Sequence, residues 1–284
     1  MIDLQSTADH RNVDLQRVGI SRLSLPIKIM QKAGGHQSVA AEASLFVEVP
    51  AAVRGTHLSR FVELLTEWTD EPVSSQDIES LLALTCERAH STSAEAELRF
   101  KYFLPRAAPV SGRTGVLDYG SAFSGRLDDG GFRFTLGVEV PITTLCPCSK
   151  EISDQGAHNQ RAVVRAKTRY AANSFIWLED LVELIEAQAS SPVYPVLKRV
   201  DEKFVTEMAY RNPKFVEDVV RDLSLALGSL GGITWFSAEC ESQESIHNHN
   251  AIASAEFEVA AKLAAGTKGA STLSPSIRAR AISG

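Results

Sequence analysis

Apolar and polar residues alternate strictly where Phe132, Phe134, Leu136, Val138, Val140 and Ile142 share one face and Arg133, Thr135 and Glu139 take the other. A period of two predicts a β-strand with one buried face. Ala94, Ala96, Leu98, Phe100 and Tyr102 against Glu95, Glu97, Arg99 and Lys101 read the same way, and 41–49, 159–170, 233–241 and 253–259 do so less regularly. One-sided alternation favours antiparallel pairing. Helical spacing appears at Leu58, Phe61, Val62 and Leu65; at Ile78, Leu81 and Leu82; at Phe175, Leu178, Leu181, Val182 and Ile185; and at Val216, Val219, Val220, Leu223 and Leu227. For the last of these, Asn212 is expected to cap the helix start and Pro213 to take its first position, where a missing N–H costs nothing.

In chain order this gives strands, two helices and strands, then the same again, which reads as a structural duplication inferred from element order alone. The fold class is α+β, each half an antiparallel sheet backed by two helices. The expected organisation is a loosely ordered start at 1–16, a first unit at 17–130, a second at 131–263 and a loose Gly, Ser, Ala and Arg-rich tail at 264–284.

The chain has 284 residues, 44% hydrophobic and 23% charged, an ordinary globular composition. With 29 Lys plus Arg against 35 Asp plus Glu, the net charge of -6 argues against a nucleic-acid partner. No run approaches the ~20 apolar residues of a membrane helix and the start has no signal-peptide pattern, so a cytoplasmic protein with no membrane partner is expected. The four cysteines, at 86, 146, 148 and 240, are too sparse for a disulfide framework.

The densest chemistry follows the most regular strand, in Thr143-Thr144-Leu145-Cys146-Pro147-Cys148-Ser149-Lys150-Glu151. A thiolate is a strong nucleophile and a soft metal ligand, and a cysteine here with His158 would supply two ligands of a zinc-like site. The bland alternative is two small apolar residues at a strand end; a Cys146–Cys148 disulfide ranks last because the spacing strains it. Arg161, Arg165, Lys167 and Arg169 line one face of the next strand, either a solvated face or the wall of a phosphate cleft. Leu197 to Lys203 packs five charges into seven residues and by itself reads as a surface loop, with Glu202 available as a hard oxygen ligand. Glu217 lies at the edge of an apolar helix stripe, a rim charge or a carboxylate aimed at a ligand. Between two expected strands, Glu244, His247 and His249 fall within six positions, suited to metal binding or proton transfer, or simply to a polar hairpin loop. Arg54-Gly55-Thr56-His57-Leu58-Ser59-Arg60 opens a helix whose N–H groups and arginines favour an anion, unless Thr56 merely caps it.

Together, Arg54 to Arg60, Cys146-Pro147-Cys148-Ser149-Lys150, Gly156-Ala157-His158-Asn159-Gln160, Asp201-Glu202-Lys203 and Asn212 to Asp218 resemble the type IB GTP cyclohydrolase family in order and spacing. The resemblance implies a tunnelling fold, with two tandem units of antiparallel sheet and helices that assemble into barrels, the second unit carrying a metal site. It also implies a homotetramer with active sites at subunit interfaces, and conversion of GTP and water to 7,8-dihydroneopterin triphosphate and formate, the entry to folate and related pterins.

By the same resemblance, one divalent metal per site, zinc, manganese or iron, is held by Cys146, His158 and Glu202, with Glu244 as a fourth ligand. His247, then His249, is the expected general acid, and Cys148 assists later proton transfers. Glu217 accepts hydrogen bonds from guanine, while Arg54, His57, Ser59, Arg60 and Lys150 bind the triphosphate. Two rivals remain. One is a nitrile reductase of the same fold with Cys146 as nucleophile, whose marker run of Glu, Ser and close lysines is absent here; the other is a non-catalytic closed zinc module.

Overall fold

The computed structural model describes residues 5, 7–67, 71–172 and 174–259; the expected tail at 264–284 and residues 1–4 and 6 of the expected loose start lie outside them. Among the described residues, nine strands form one antiparallel sheet accompanied by six helices. The sheet runs β1 (Leu15–Met30), β2 (His36–Val49), β3 (Ala94–Ala107), β4 (Thr114–Asp128), β5 (Gly131–Leu145), β6 (Asn159–Tyr170), β8 (Ile233–Gln243) and β9 (Asn250–Glu258), and the two-residue β7 (Ser191–Pro192) pairs with β5. The mixed α+β class with an antiparallel sheet agrees with the alternation in the sequence.

By compactness the chain divides into two units, one taking residues up to Tyr102 with Gly120–Leu136, the other Phe103–Tyr119 and the chain from Gly137 onward. The division therefore falls at several points along β3, β4 and β5 rather than at one. In the first unit, β1 and β2 pair in a register that sets Ile20 against Leu45 and Ile27 against Val39. Their turn uses Gly34 and Gly35 at φ 95° and 76°, a region that side chains with a Cβ rarely enter. Helices α1 (Leu58–Thr66) and α2 (Ser75–Ala89) bury Phe61, Leu64 and Leu65, and Ile78, Leu81 and Leu82. Ser74 caps α2 by accepting from Asp77 N, and Asp77 accepts from Ser74 N in return. At Gly125 a Cβ would meet Ile78 Cγ2 at 2.3 Å, so α2 lies directly on β4 there. Within the start expected to be loose, Asp9 N donates to Ala52 O and the Thr7 carbonyl accepts from Arg54 N, both at 3.1 Å.

In the second unit, α4 (Leu178–Glu186) buries Leu178, Leu181, Val182 and Ile185, and α6 (Val216–Ser229) buries Val216, Val219, Val220, Leu223 and Leu227. These are the stripes read from the sequence, except that Phe175 precedes α4, 69% exposed and edge-on to Trp177. Truncating a fully buried leucine such as Leu181 or Leu223 to alanine should cost about 2–5 kcal/mol.

Two further helices were not read from the pattern. The short α3 (Pro147–Ile152) follows β5, and α5 (Arg199–Arg211) grows out of the charged segment that looked like a loop. The reason for α5 is Asp201, which is completely buried. Its carboxylate accepts from Lys198 N at 2.8 Å at the helix start, from Val110 N and Ser111 N at 2.9 and 2.8 Å, and from Ser111 Oγ at 2.6 Å. One side chain thus satisfies the helix start and ties the β3–β4 turn to it. Asn212 and Pro213 also take different places from those expected. Asn212 closes the C-terminus of α5 and donates its side-chain N–H to Ala189 O at 2.8 Å, while α6 starts later, with Phe215 N donating to Asp218 Oδ2 at 3.0 Å.

Burial pushes the Asp201 carboxyl upward, but the bonds from Ser111, Lys198 and Val110 outweigh it and hold it well below the usual carboxylate range. A carboxylate depressed in the folded state stabilises the protein fully above its unfolded value, about 4, and loses that contribution as pH falls toward the folded value. Asp201→Asn should therefore lower the thermal midpoint clearly at pH 7, and the gap to the parent should narrow on acidification. Melting curves across pH 3–7 test this, and a constant gap would refute it. A second tie joins β3 and β4 to α4: Tyr119 Oη donates to Glu186 Oε1 at 2.6 Å, and Arg106 lies 3.0 Å from Glu186 Oε2.

Candidate active site

β5 delivers Cys146 at its end because Pro147 cannot continue the ladder and instead opens α3. The Cys146 sulfur accepts from Ser149 N at 3.4 Å, capping the short helix. Cys146 N donates to His158 O at 3.1 Å, and His158 N donates to Ser149 Oγ at 3.0 Å. These bonds close the loop from 146 to 158 and hold a thiol and an imidazole, twelve residues apart in sequence, at one sheet end.

His158 Nδ1 lies 3.0 Å from Gln160 Oε1. Gln160 Nε2 in turn donates to Glu244 Oε1 at 3.2 Å and to Thr144 Oγ1 at 3.4 Å, while Ser245 Oγ donates to Gln160 Oε1 at 3.3 Å. Glu244, from the loop between β8 and β9, is thereby joined to the β5–β6 end. Of these five residues His158, Gln160 and Glu244 are half-buried, Thr144 is buried and Ser245 is exposed.

The other expected site residues are placed as follows. Cys148 is exposed. Lys150 Nζ donates to Tyr210 O at 2.6 Å and stands 4.5 Å over the Tyr210 ring, tying α3 to α5; an ammonium has three donors, so two N–H groups remain. Glu202 sits exposed on the first turn of α5, and Glu217 exposed on the first turn of α6. His247 and His249 are exposed in the β8–β9 loop with rings stacked 5.0 Å apart. Arg54, His57, Ser59 and Arg60 belong to the first unit at the start of α1; His57 takes the N-cap position and Arg60 Nη1 donates to Arg88 O at 3.0 Å.

Among the described residues, no three His, Cys, Asp or Glu side chains converge closely enough to form a metal cage. The structure brings together Cys146, His158 and, through Gln160, Glu244; it does not bring Glu202 into this contact chain, because α5 turns Asp201 inward and Glu202 outward. The donors that do meet fit a divalent ion in their chemistry. His158 uses Nδ1 toward Gln160, the arrangement that leaves Nε2 for a metal, and a thiolate with imidazole suits zinc, iron or manganese less exclusively than four thiolates would suit zinc.

Two of the four basic residues on β6 are engaged within the sheet, while Arg161 and Lys167 are exposed. Arg165 donates to Glu239 and Glu241, both at 2.9 Å, and Arg169 lies 4.2 Å over the Trp235 ring, so these two side chains are held by the neighbouring strand. Cys240 lies beneath in β8, fully buried; burial, with Glu217 and Glu239 nearby, pushes its thiol up to about 12 and keeps it protonated and inert.

Sequence reasoning gave Gln160 no role of its own. The available signal was the spacing: positions 158 and 160, entering a strand, point to the same side.

A family model described as type I GTP cyclohydrolase folE2 matches residues 1–253. A protein of Syntrophus aciditrophicus (strain SB) named GTP cyclohydrolase FolE2 is 46% identical over 258 residues, covering 91% of this chain and 100% of its own. A protein of the same name from Syntrophobacter fumaroxidans is 47% identical over 257 residues, 90% of this chain and 99% of its own. Among solved structures, a uricase from Arthrobacter globiformis aligns with TM-score 0.50 at 8% identity over 92% of this chain and 96% of its own, and one from Bacillus fastidious with TM-score 0.51 at 6% identity over 86% and 93%. At such identity the likeness speaks for the fold alone.

Proposed function

The chain belongs to the type I GTP cyclohydrolase FolE2 family, and from that membership we propose how its own residues carry out the reaction. It is a GTP cyclohydrolase, converting GTP and water to 7,8-dihydroneopterin triphosphate and formate. The structural observation that supports the assignment of residues is the bond from Cys146 N to His158 O, which brings the backbones of the two residues together at one end of the sheet.

The reaction must open a purine imidazole ring at C8. A divalent ion, with zinc, manganese and iron the candidates, would be held by Cys146 and His158, joined by Glu202 and with Glu244 as the fourth candidate. Held there, such an ion would supply the Lewis acidity that makes a water nucleophilic near neutral pH. His247, with His249 second, donates the proton that the leaving N7 requires; an imidazole near neutrality suits that task, and the exposed loop leaves both rings accessible to a bound nucleotide. Glu217 accepts from guanine N1–H and the 2-amino group, two parallel donors that adenine does not present. Arg54, His57, Ser59 and Arg60, with the two spare N–H groups of Lys150, bind the triphosphate. Cys148, exposed beside Cys146, is assigned to the later proton transfers of ribose rearrangement.

The tunnelling fold, supported by the uricase likeness, provides the assembly in which these groups act: a homotetramer with sites at subunit interfaces. No helix among the described residues is long and apolar enough to cross a membrane, and a cytoplasmic location accords with a GTP substrate.

Purified protein incubated with GTP and manganese or zinc should release formate and yield, after oxidation, fluorescent neopterin. Chelation should abolish both signals and single ions should restore them. Full activity after verified metal removal would sink the metal role, and no product with any of the three ions would sink the activity.

A further inference from the structure

We propose that Gln160 is the positioning residue that fixes the tautomer and direction of His158, with Glu244 setting the orientation of the Gln160 amide; the proposal rests on the reading of His158 as a metal ligand. An amide has one end that only donates and one that only accepts, and which end faces which neighbour must be decided by the neighbours. Gln160 Nε2 donates to Glu244 Oε1 at 3.2 Å and to Thr144 Oγ1 at 3.4 Å, so the amide nitrogen faces those two acceptors. The carbonyl oxygen is then the atom 3.0 Å from His158 Nδ1, and it also accepts from Ser245 Oγ. A carbonyl oxygen can only accept, so His158 Nδ1 must carry the hydrogen. In the neutral ring that leaves the lone pair on Nε2, the atom pointing away from Gln160.

Backbone bonds at Cys146 and Ser149 fix where His158 sits; Gln160 fixes which way its lone pair faces and in which tautomer. An imidazole free to take the other tautomer would present a hydrogen where a ligand is needed, so a fraction of the binding energy would go to reversing it. Loss of such an orienting partner typically weakens metal affinity about 10–100-fold.

The test compares Gln160→Met with Gln160→Glu. Both lose the donor to Glu244, but only Gln160→Glu keeps an acceptor facing His158 Nδ1. Zinc affinity is measured on the metal-free oligomer by competition with a chromophoric chelator, alongside thermal unfolding of the metal-free protein and KM for GTP at saturating metal. The expected result is zinc affinity about 10–100-fold weaker in Gln160→Met, within a few-fold of the parent in Gln160→Glu, with unfolding and KM little changed. Parent-like affinity in both variants, or equal loss in both, overturns the relay, the second because the effect would then come from the contact with Glu244. Cys146→Ala and His158→Ala run beside them: parent-like zinc affinity in those two overturns the site reading itself and the relay with it, whereas their loss alongside an unaffected Gln160→Met overturns the relay alone.

Discussion

Cys146→Ala should lower turnover of GTP by more than about a hundredfold while leaving the fold and oligomer intact, because loss of a direct ligand should exceed the 10–100-fold cost of losing an orienting partner. The structure explains why the fold should survive. Cys146 is only half-buried, its sulfur makes one weak acceptor contact with Ser149 N at 3.4 Å, and the backbone bond from Cys146 N to His158 O does not depend on the side chain. Losing the sulfur therefore costs part of one helix cap, about 1 kcal/mol at most on the scale of stronger oxygen caps. Removing a soft anionic ligand is different in kind, since neither water nor a neighbouring hydroxyl reproduces its charge. The measurement is kcat with metal content determined on the same sample, and size-exclusion chromatography as the control. A near-normal rate would remove Cys146 from the ligand set, and Cys148→Ala, exposed and without that cap, should be the milder of the pair.

Glu217→Gln should lower kcat/KM for GTP by about a hundredfold or more, a loss of ~2.7 kcal/mol in transition-state binding. A carboxylate offers two acceptors to the paired donors of guanine; the amide replaces one acceptor with a donor, which faces another donor. The residue is exposed on the first turn of α6 and carries none of that helix's buried stripe, so stability should change little. Its charge near a helix N-terminus contributes only some 0.3–1 kcal/mol. Steady-state kinetics with GTP, together with a melting curve, separate the outcomes: unchanged kcat/KM removes Glu217 from base recognition, and a large fall in stability would show that it holds the helix rather than the base.

Much of the fold was legible because burial on one face writes itself into sequence as a period. The alternation in β3 and β5 and the stripes of α2, α4 and α6 are each a one-dimensional record of which side faces the core. α5 was not legible for the converse reason. Arg199–Arg211 has few apolar anchors, only Asp201 and Ala209 being buried, and its start depends on a carboxylate reaching Ser111 and Val110, about ninety residues earlier in the chain. No local pattern encodes such a partner. Asn212-Pro213 misled in the same way: the pair is a competent helix start, but Asn212 finds Ala189 O across the fold and closes a helix instead.

The site divides along the same line. The sequence by itself determined which chemistry is present and roughly where: a thiol pair after a strand, His158 ten residues beyond Cys148, acidic and imidazole groups in the β8–β9 loop, and motifs whose spacing resembled the family to which the chain belongs. Residue type and order suffice for that, since reactivity is a property of the side chain. Only the tertiary structure decided what each group touches: that Cys146 and His158 share a backbone bond, that Arg165 is spent on Glu239 and Glu241, that Lys150 is held by Tyr210, and that Gln160 stands between His158 and Glu244. Hydrogen bonds form over about 3 Å and depend on direction, so they are settled by where distant strands and loops meet, which periodicity along the chain does not record.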